Sequence, residues 1–221
     1  MFSDQSILTR AIWAALVLFC LWALITAKWS LAFVALATFA LSIAPLLVAR
    51  WAMVVVPPSF MLAIVLFVGG TLFLGEVFDF YTRFWWWDIA MHGGSAVGFG
   101  LIGFVLVFMM FQGDRFVASH GAIAFFAFCF ALAMGAMWEV FEFVMDHIFG
   151  LNMQKSGLMD TMGDMIVDMI GAALGAVSGY VYLKGREGLG LPGLIARFVA
   201  DNPRLFRRIR HRHRNRHGKG E

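Results

Sequence analysis

Along the chain, apolar residues gather into six blocks, at about 9–27, 31–49, 60–80, 85–111, 120–149 and 157–183. Each is near the roughly 20 residues that a helix needs to cross a bilayer. The pattern predicts an all-α, polytopic membrane protein with six transmembrane helices. Pro45 is expected to kink the second helix, and the prolines at Pro57 and Pro58 end the connection that follows it. The first block is long for a signal peptide and no small-x-small cleavage site follows it, so it reads as an uncleaved helix.

The polar positions inside these blocks are not scattered. Glu76 and Asp79 stand three apart, and Asp88 and His92 four apart. Glu139, Glu142 and Asp146 follow at steps of three and four, and Asp160, Asp164 and Asp168 at steps of four. Residues at these spacings share one face of a helix. The last stripe continues as Gly171, Gly175 and Gly179, where missing side chains let another helix come close. Gly94 and Gly98 form a comparable pair in the fourth block.

Composition agrees with a membrane solvent. Of the 221 residues, 61% are hydrophobic and only 14% charged, against about a quarter charged in soluble domains. Lysine and arginine then orient the chain. Eleven of them lie from Lys184 onward, which places the C-terminus, and with six spans the N-terminus, in the cytoplasm. Residues 1–183 read as one transmembrane domain with its core in 60–183, and 184–221 as a basic cytoplasmic tail. The tail is expected to be a disordered juxtamembrane segment touching membrane lipids through anionic headgroups. Nothing near it supplies a nucleic-acid-binding fold, so no nucleic-acid partner is expected. Cys20 and Cys129 lie mid-span without metal or redox spacing and read as packing residues.

With that orientation, the third and fifth helices run outward and carry their acids late. The fourth and sixth run inward and carry theirs early, so all four clusters fall on the extracytoplasmic side. A carboxylate at the bilayer centre costs about 2.5–3.5 kcal/mol on the lenient insertion scale. Nine acids accompanied there by only Arg83 and Lys155 require water, protons or bound cations. The predicted metal ligands are Asp88, His92, Glu139, Glu142, Asp164 and Asp168, converging in an outward-opening pocket. Glu76, Asp79, Tyr81, Asp146 and Asp160 form its rim. Carboxylates with one histidine suit Mn²⁺, Mg²⁺, Zn²⁺ or Fe²⁺.

Glu76-x2-Asp79 recurs as Glu139-x2-Glu142, and Asp88-x3-His92 as Asp164-x3-Asp168. This suggests a parallel repeat of the third and fourth helices in the fifth and sixth. The segments "GEVFDFYTRFWWWDIAMHGG", "GAMWEVFEFVMDHIFG" and "DTMGDMIVDMIGAALGAVSGY" together resemble the YjdF-like family of bacterial membrane proteins and, more distantly, VanZ-like proteins. VanZ-like proteins show Asp-x3-His, matched by Asp88 and His92. They then show Glu-x2-Gln and Asp-x3-Asn-x2-Gly, where this chain has Glu139-x2-Glu142 and Asp164-x3-Asp168-x2-Gly171, with acids in place of two amides. The resemblance implies a bacterial inner membrane and a site facing the envelope.

Two functions fit these residues: a metal-dependent enzyme acting on an envelope or lipid substrate, and a cation- or proton-coupled transporter. A structural membrane protein with a bound cation is the third. Embedded charge is nearly absent from the cytoplasmic half, which favours the fixed metal site over a path across the membrane.

Overall fold

A computed structural model describes residues 4–111, 118–186, 188 and 190–206. It is all-helical, with no strand among the described residues. Six helical stretches are long and apolar enough to cross a membrane: α1 Ile7–Ile25, α2 Trp29–Trp51, Pro58–Val77, α5 Trp87–Met110, α6 His120–Phe149 and α7 Leu158–Leu183. The chain divides into two compact units, 1–91 and 92–221, the division falling inside α5. Arg115 and the arginine- and histidine-rich end from Arg207 lie outside the described residues.

In the first unit, Ser6 caps α1 by accepting from the Thr9 amide at 3.0 Å. Ala27, in the left-handed region at φ 54°, turns the chain into α2. Trp13, Leu46, Met61 and Val65 form the buried core, and the Trp13 indole donates to Ser42 Oγ at 3.0 Å, which satisfies its one polar atom. Pro45 sits within a continuous α2.

The third span is not uniform. α3 (Pro58–Val68) passes into a π-helical segment at Gly69–Val77, beginning where two glycines meet Thr71, whose hydroxyl bonds back to Phe67 O and Val68 O. This widened winding alters the expected face. Glu76 is exposed on the π segment, and Asp79 lies outside it at φ 55°, before the short α4 (Phe80–Arg83). The two acids therefore do not form a helical i, i+3 pair. α6 holds Glu139 and Glu142 on regular helix, so local structure does not repeat between these motifs.

In the second unit, α6 and α7 form an antiparallel hairpin, and its connection is pinned by acids. Asp146 accepts from the Met153 and Gln154 amides at 2.7 and 2.9 Å, and Asp160 from the Lys155 amide at 3.1 Å. Gly150 ends α6 in the left-handed conformation, which a glycine takes without steric cost.

The buried face of α7 includes Asp164, Asp168, Gly171, Gly175, Ser178 and Tyr182. These alternate steps of four and three give the 3.5-residue seam of closely packed helices. A Cβ at Gly175 would stand 2.8 Å from both Gly100 Cα and Val97 O of α5, and one at Gly171 2.6 Å from Gly93 O. At Gly103 of α5 it would meet Phe130 and Ala127 O of α6. Gly94 and Gly98, the expected contact pair, face open space. The helix turns its closest approach to Gly93, Gly100 and Gly103 instead. At the far end, Phe104, Phe108, Tyr182, Phe198 and Phe206 pack ring against ring at 5.5–6.2 Å.

Part of the expected disordered tail is helical. Leu191–Asp201 forms α8, which packs against α7 with Ile195 buried, and Phe206 stacks on Phe108 at 5.8 Å. Apolar residues at Leu191, Leu194, Ile195 and Phe198 supply its packing stripe.

The glycine seam yields a direct prediction. Gly175→Ala pushes a methyl into the α5 backbone and should lower stability by about 1–3 kcal/mol. Gly94→Ala adds the same methyl in open space and should leave stability unchanged or raise it by up to about 1 kcal/mol through helix propensity. Thermal unfolding of both variants in one detergent, followed by circular dichroism, checks the difference.

A buried histidine and carboxylate cluster

Three helices of the second unit bring their polar positions together at one end. His92 lies near the start of α5, Glu139 and Glu142 near the end of α6, and Asp164 and Asp168 near the start of α7. Glu139 lies ten residues from the end of α6 and Asp168 ten from the start of α7. At 1.5 Å per residue both are about 15 Å along their helices, roughly half of a hydrocarbon core.

All five are buried: His92 7%, Glu139 5%, Glu142 9%, Asp164 6% and Asp168 1% exposed. The expected outward-opening pocket is therefore closed around these side chains. Their neighbours on α6 point the other way, with Met137, Val140, Phe141 and Phe143 exposed on its outer face. This arrangement inverts a soluble bundle, as a lipid solvent demands.

Ligand atoms of His92, Glu139 and Asp164 lie within 4.8 Å of one another, a spacing that could hold a metal ion. His92 Nε2 stands 3.8 Å from Asp164 Oδ2, and Nδ1 3.5 Å from Asp168 Oδ1. The second distance permits charge pairing, but the groups are not aligned as a hydrogen bond, and both Asp168 oxygens are buried without one. Both Glu139 oxygens are likewise buried and unbonded. The Thr161 hydroxyl, which accepts from Gln154 Nε2 at 2.7 Å, lies close to Glu139. Glu142 accepts from the Trp138 indole at 3.0 Å.

A buried carboxylate normally has its lone pairs filled, and an unfilled one carries a heavy desolvation cost. Two such groups beside an imidazole make a donor set that could hold a cation. Ser95 and Ser178 take no part, since each hydroxyl bonds to its own helix, at His92 O and Leu174 O.

Of the other sequence-derived positions, Asp160 brings a carboxylate oxygen within 4.8 Å of one of Asp164. Asp88 is half-buried on α5, one turn before His92. Asp146 and Asp160, expected at the rim, hold the α6–α7 connection through backbone amides. In the first unit, Asp79 pairs with Arg83 at 3.9 Å on the surface, Glu76 is exposed, and the Tyr81 ring packs on the bare backbone of Gly75.

Gly135 was not anticipated. Four residues before Glu139 on α6, it stands where a Cβ would collide with Asp168 Oδ2. A small residue one turn from a buried acid is the signal in the sequence that marks such a niche, and glycines are too frequent in these helices for it to stand out.

Comparison with known proteins adds a family without a reaction. An uncharacterized protein of Thermotoga maritima is 28% identical over 102 residues, covering 44% of this chain and 50% of that protein. The chain thus spans about half the length of the curated relative it matches. No solved structure matches. A family model described as a predicted membrane protein, DUF2238, matches residues 8–185. These residues take in all six spans and the whole histidine and carboxylate cluster, and the chain belongs to this DUF2238 family of predicted membrane proteins, the YjdF-like family.

Proposed function

We propose that this protein is a membrane-embedded divalent-metal enzyme acting on a lipid or other envelope substrate, with His92, Glu139 and Asp164 as its metal ligands. The observation that carries this reading is the approach of those three groups to within 4.8 Å, with Glu139 buried and unbonded. One imidazole with carboxylates suits Zn²⁺, Mn²⁺, Fe²⁺ or Mg²⁺. Such an ion polarises a phosphoryl or carbonyl group and lowers the pKa of bound water. With such an ion bound, Glu142, which accepts from the Trp138 indole, would be placed on α6 to take the water proton.

The glycine seam favours a fixed site over a transport route. Past Asp168, the polar stripe of α7 is replaced by Gly171, Gly175 and Gly179, against which α5 packs without space for even a methyl group. Further along that face, Ser178 turns its hydroxyl back to Leu174 O and Tyr182 packs among aromatic rings. Ion passage would need those backbones to part.

The setting follows the positive-inside rule: a bacterial inner membrane, both termini in the cytoplasm, and the acidic end of the bundle toward the envelope. The VanZ-like spacing Asp88-x3-His92 fits an envelope substrate. The basic run from Arg207 suits anionic headgroups.

Two measurements test the reading. Protein purified without chelator or affinity-resin metal should carry about one divalent ion per chain by elemental analysis, lost in His92→Ala and Asp164→Asn. A folded wild type that carries none, and binds no added Mn²⁺, Zn²⁺ or Mg²⁺, overturns the metal site. Metal accumulation in proteoliposomes would replace the enzyme by a transporter.

Orientation is tested with a membrane-impermeant maleimide in a background lacking Cys20 and Cys129. Lys155→Cys should react from the envelope side, and Gly220→Cys only after the membrane is opened. Reaction of Lys155→Cys from the cytoplasmic side would reverse the site.

A further inference from the structure

The imidazole of His92 faces two different acids through its two nitrogens. Nε2 faces Asp164 at 3.8 Å and Nδ1 faces Asp168 at 3.5 Å. The two nitrogens of one ring diverge, so a single ion cannot take both. The cluster within 4.8 Å contains His92, Glu139 and Asp164, and Asp168 is not part of it. Metal-bound histidines nearly always give their second N–H to a carboxylate, a carbonyl or water, which sets the tautomer and aims the ring.

We propose that Asp168 is the positioning carboxylate of a His92 metal ligand, and that Gly135 provides the niche that holds it. This rests on the metal-site reading above. Asp168 is 1% exposed and neither oxygen accepts a hydrogen bond. Oδ2 lies against α6 where any side chain at position 135 would begin, and Oδ1 stands 3.5 Å from Nδ1. The carboxylate is thus held from behind by a bare backbone and has the imidazole in front of it. In this arrangement Nδ1 carries the proton and Nε2 meets the metal. Asp168 touches no ion, and its effect on metal affinity passes through His92.

Zn²⁺ affinity, read by competition with a chromogenic chelator in detergent, separates positioning from ligation. Asp168→Ala should weaken binding about 10–100-fold while one ion still binds at saturation. Asp168→Asn keeps an oxygen facing Nδ1 and should recover most of that loss. Gly135→Ala, which displaces the carboxylate without altering it, should fall near Asp168→Ala. Equal loss of stoichiometry in Asp168→Asn and Asp168→Ala would make Asp168 a ligand and overturn the proposal, as would unchanged affinity in Asp168→Ala.

A second readout needs no variant at position 168. In Zn²⁺-loaded wild type labelled with ¹⁵N-histidine, His92, assigned with His92→Gln, should show a protonated Nδ1 and a metal-bound Nε2. The opposite tautomer overturns the proposal. Wild type that binds no Zn²⁺ or other divalent ion removes the metal site itself. Binding in wild type with the wrong tautomer, or with equal losses at position 168, removes only the positioning role.

Discussion

The second unit is organised around carboxylates whose charge no hydrogen bond within the described protein satisfies. Glu139 and Asp168 each bury both oxygens, Glu139 ten residues from the end of α6 and Asp168 ten from the start of α7. In a medium as apolar as lipid, such groups are costly unless a counter-charge is close. His92 stands 3.8 Å from Asp164 and 3.5 Å from Asp168, and one imidazole carries at most one positive charge. On the proposed reading, a cation at this point would relieve that cost, with one ligand from each of the three helices.

The face of α7 shows how one helix divides its work. Asp164 and Asp168 give way to Gly171, Gly175 and Gly179, and then to Tyr182 within an aromatic cluster. The glycines bring α5 and α7 to backbone contact, and that contact places His92 beside the α7 acids. Without a hydrophobic effect between helices in lipid, close packing and buried polar pairing are what hold the bundle. The same seam closes the far half of the helix pair, where even a methyl group would meet α5.

Acids that look alike in the sequence serve different ends. Asp146 and Asp160 share stripes with Glu139 and Asp164 but reach the α6–α7 connection, where backbone amides take them up. Their place beside the connection puts them within reach of the Met153, Gln154 and Lys155 N–H groups. Asp79 meets Arg83 in the open, a pairing worth little at the surface.

Hydropathy alone determined the six spans, because a bilayer imposes a minimum length and forbids charge over most of it. Helical periodicity put Asp164 with Asp168, and Glu139 with Glu142, on shared faces, because that relation is fixed within a few residues. Other features depended on which faces meet. Both sides of a membrane helix are apolar, so sequence pattern does not tell lipid from neighbour. Hence Gly93, Gly100 and Gly103, rather than Gly94 and Gly98, make the contacts of α5. The π winding at Gly69–Val77, the helix at Leu191–Asp201 and the niche at Gly135 were legible only in three dimensions. So was the division of the acids: stripes bring carboxylates to the same end of a bundle, but only the packed distances decide which remain unpaired.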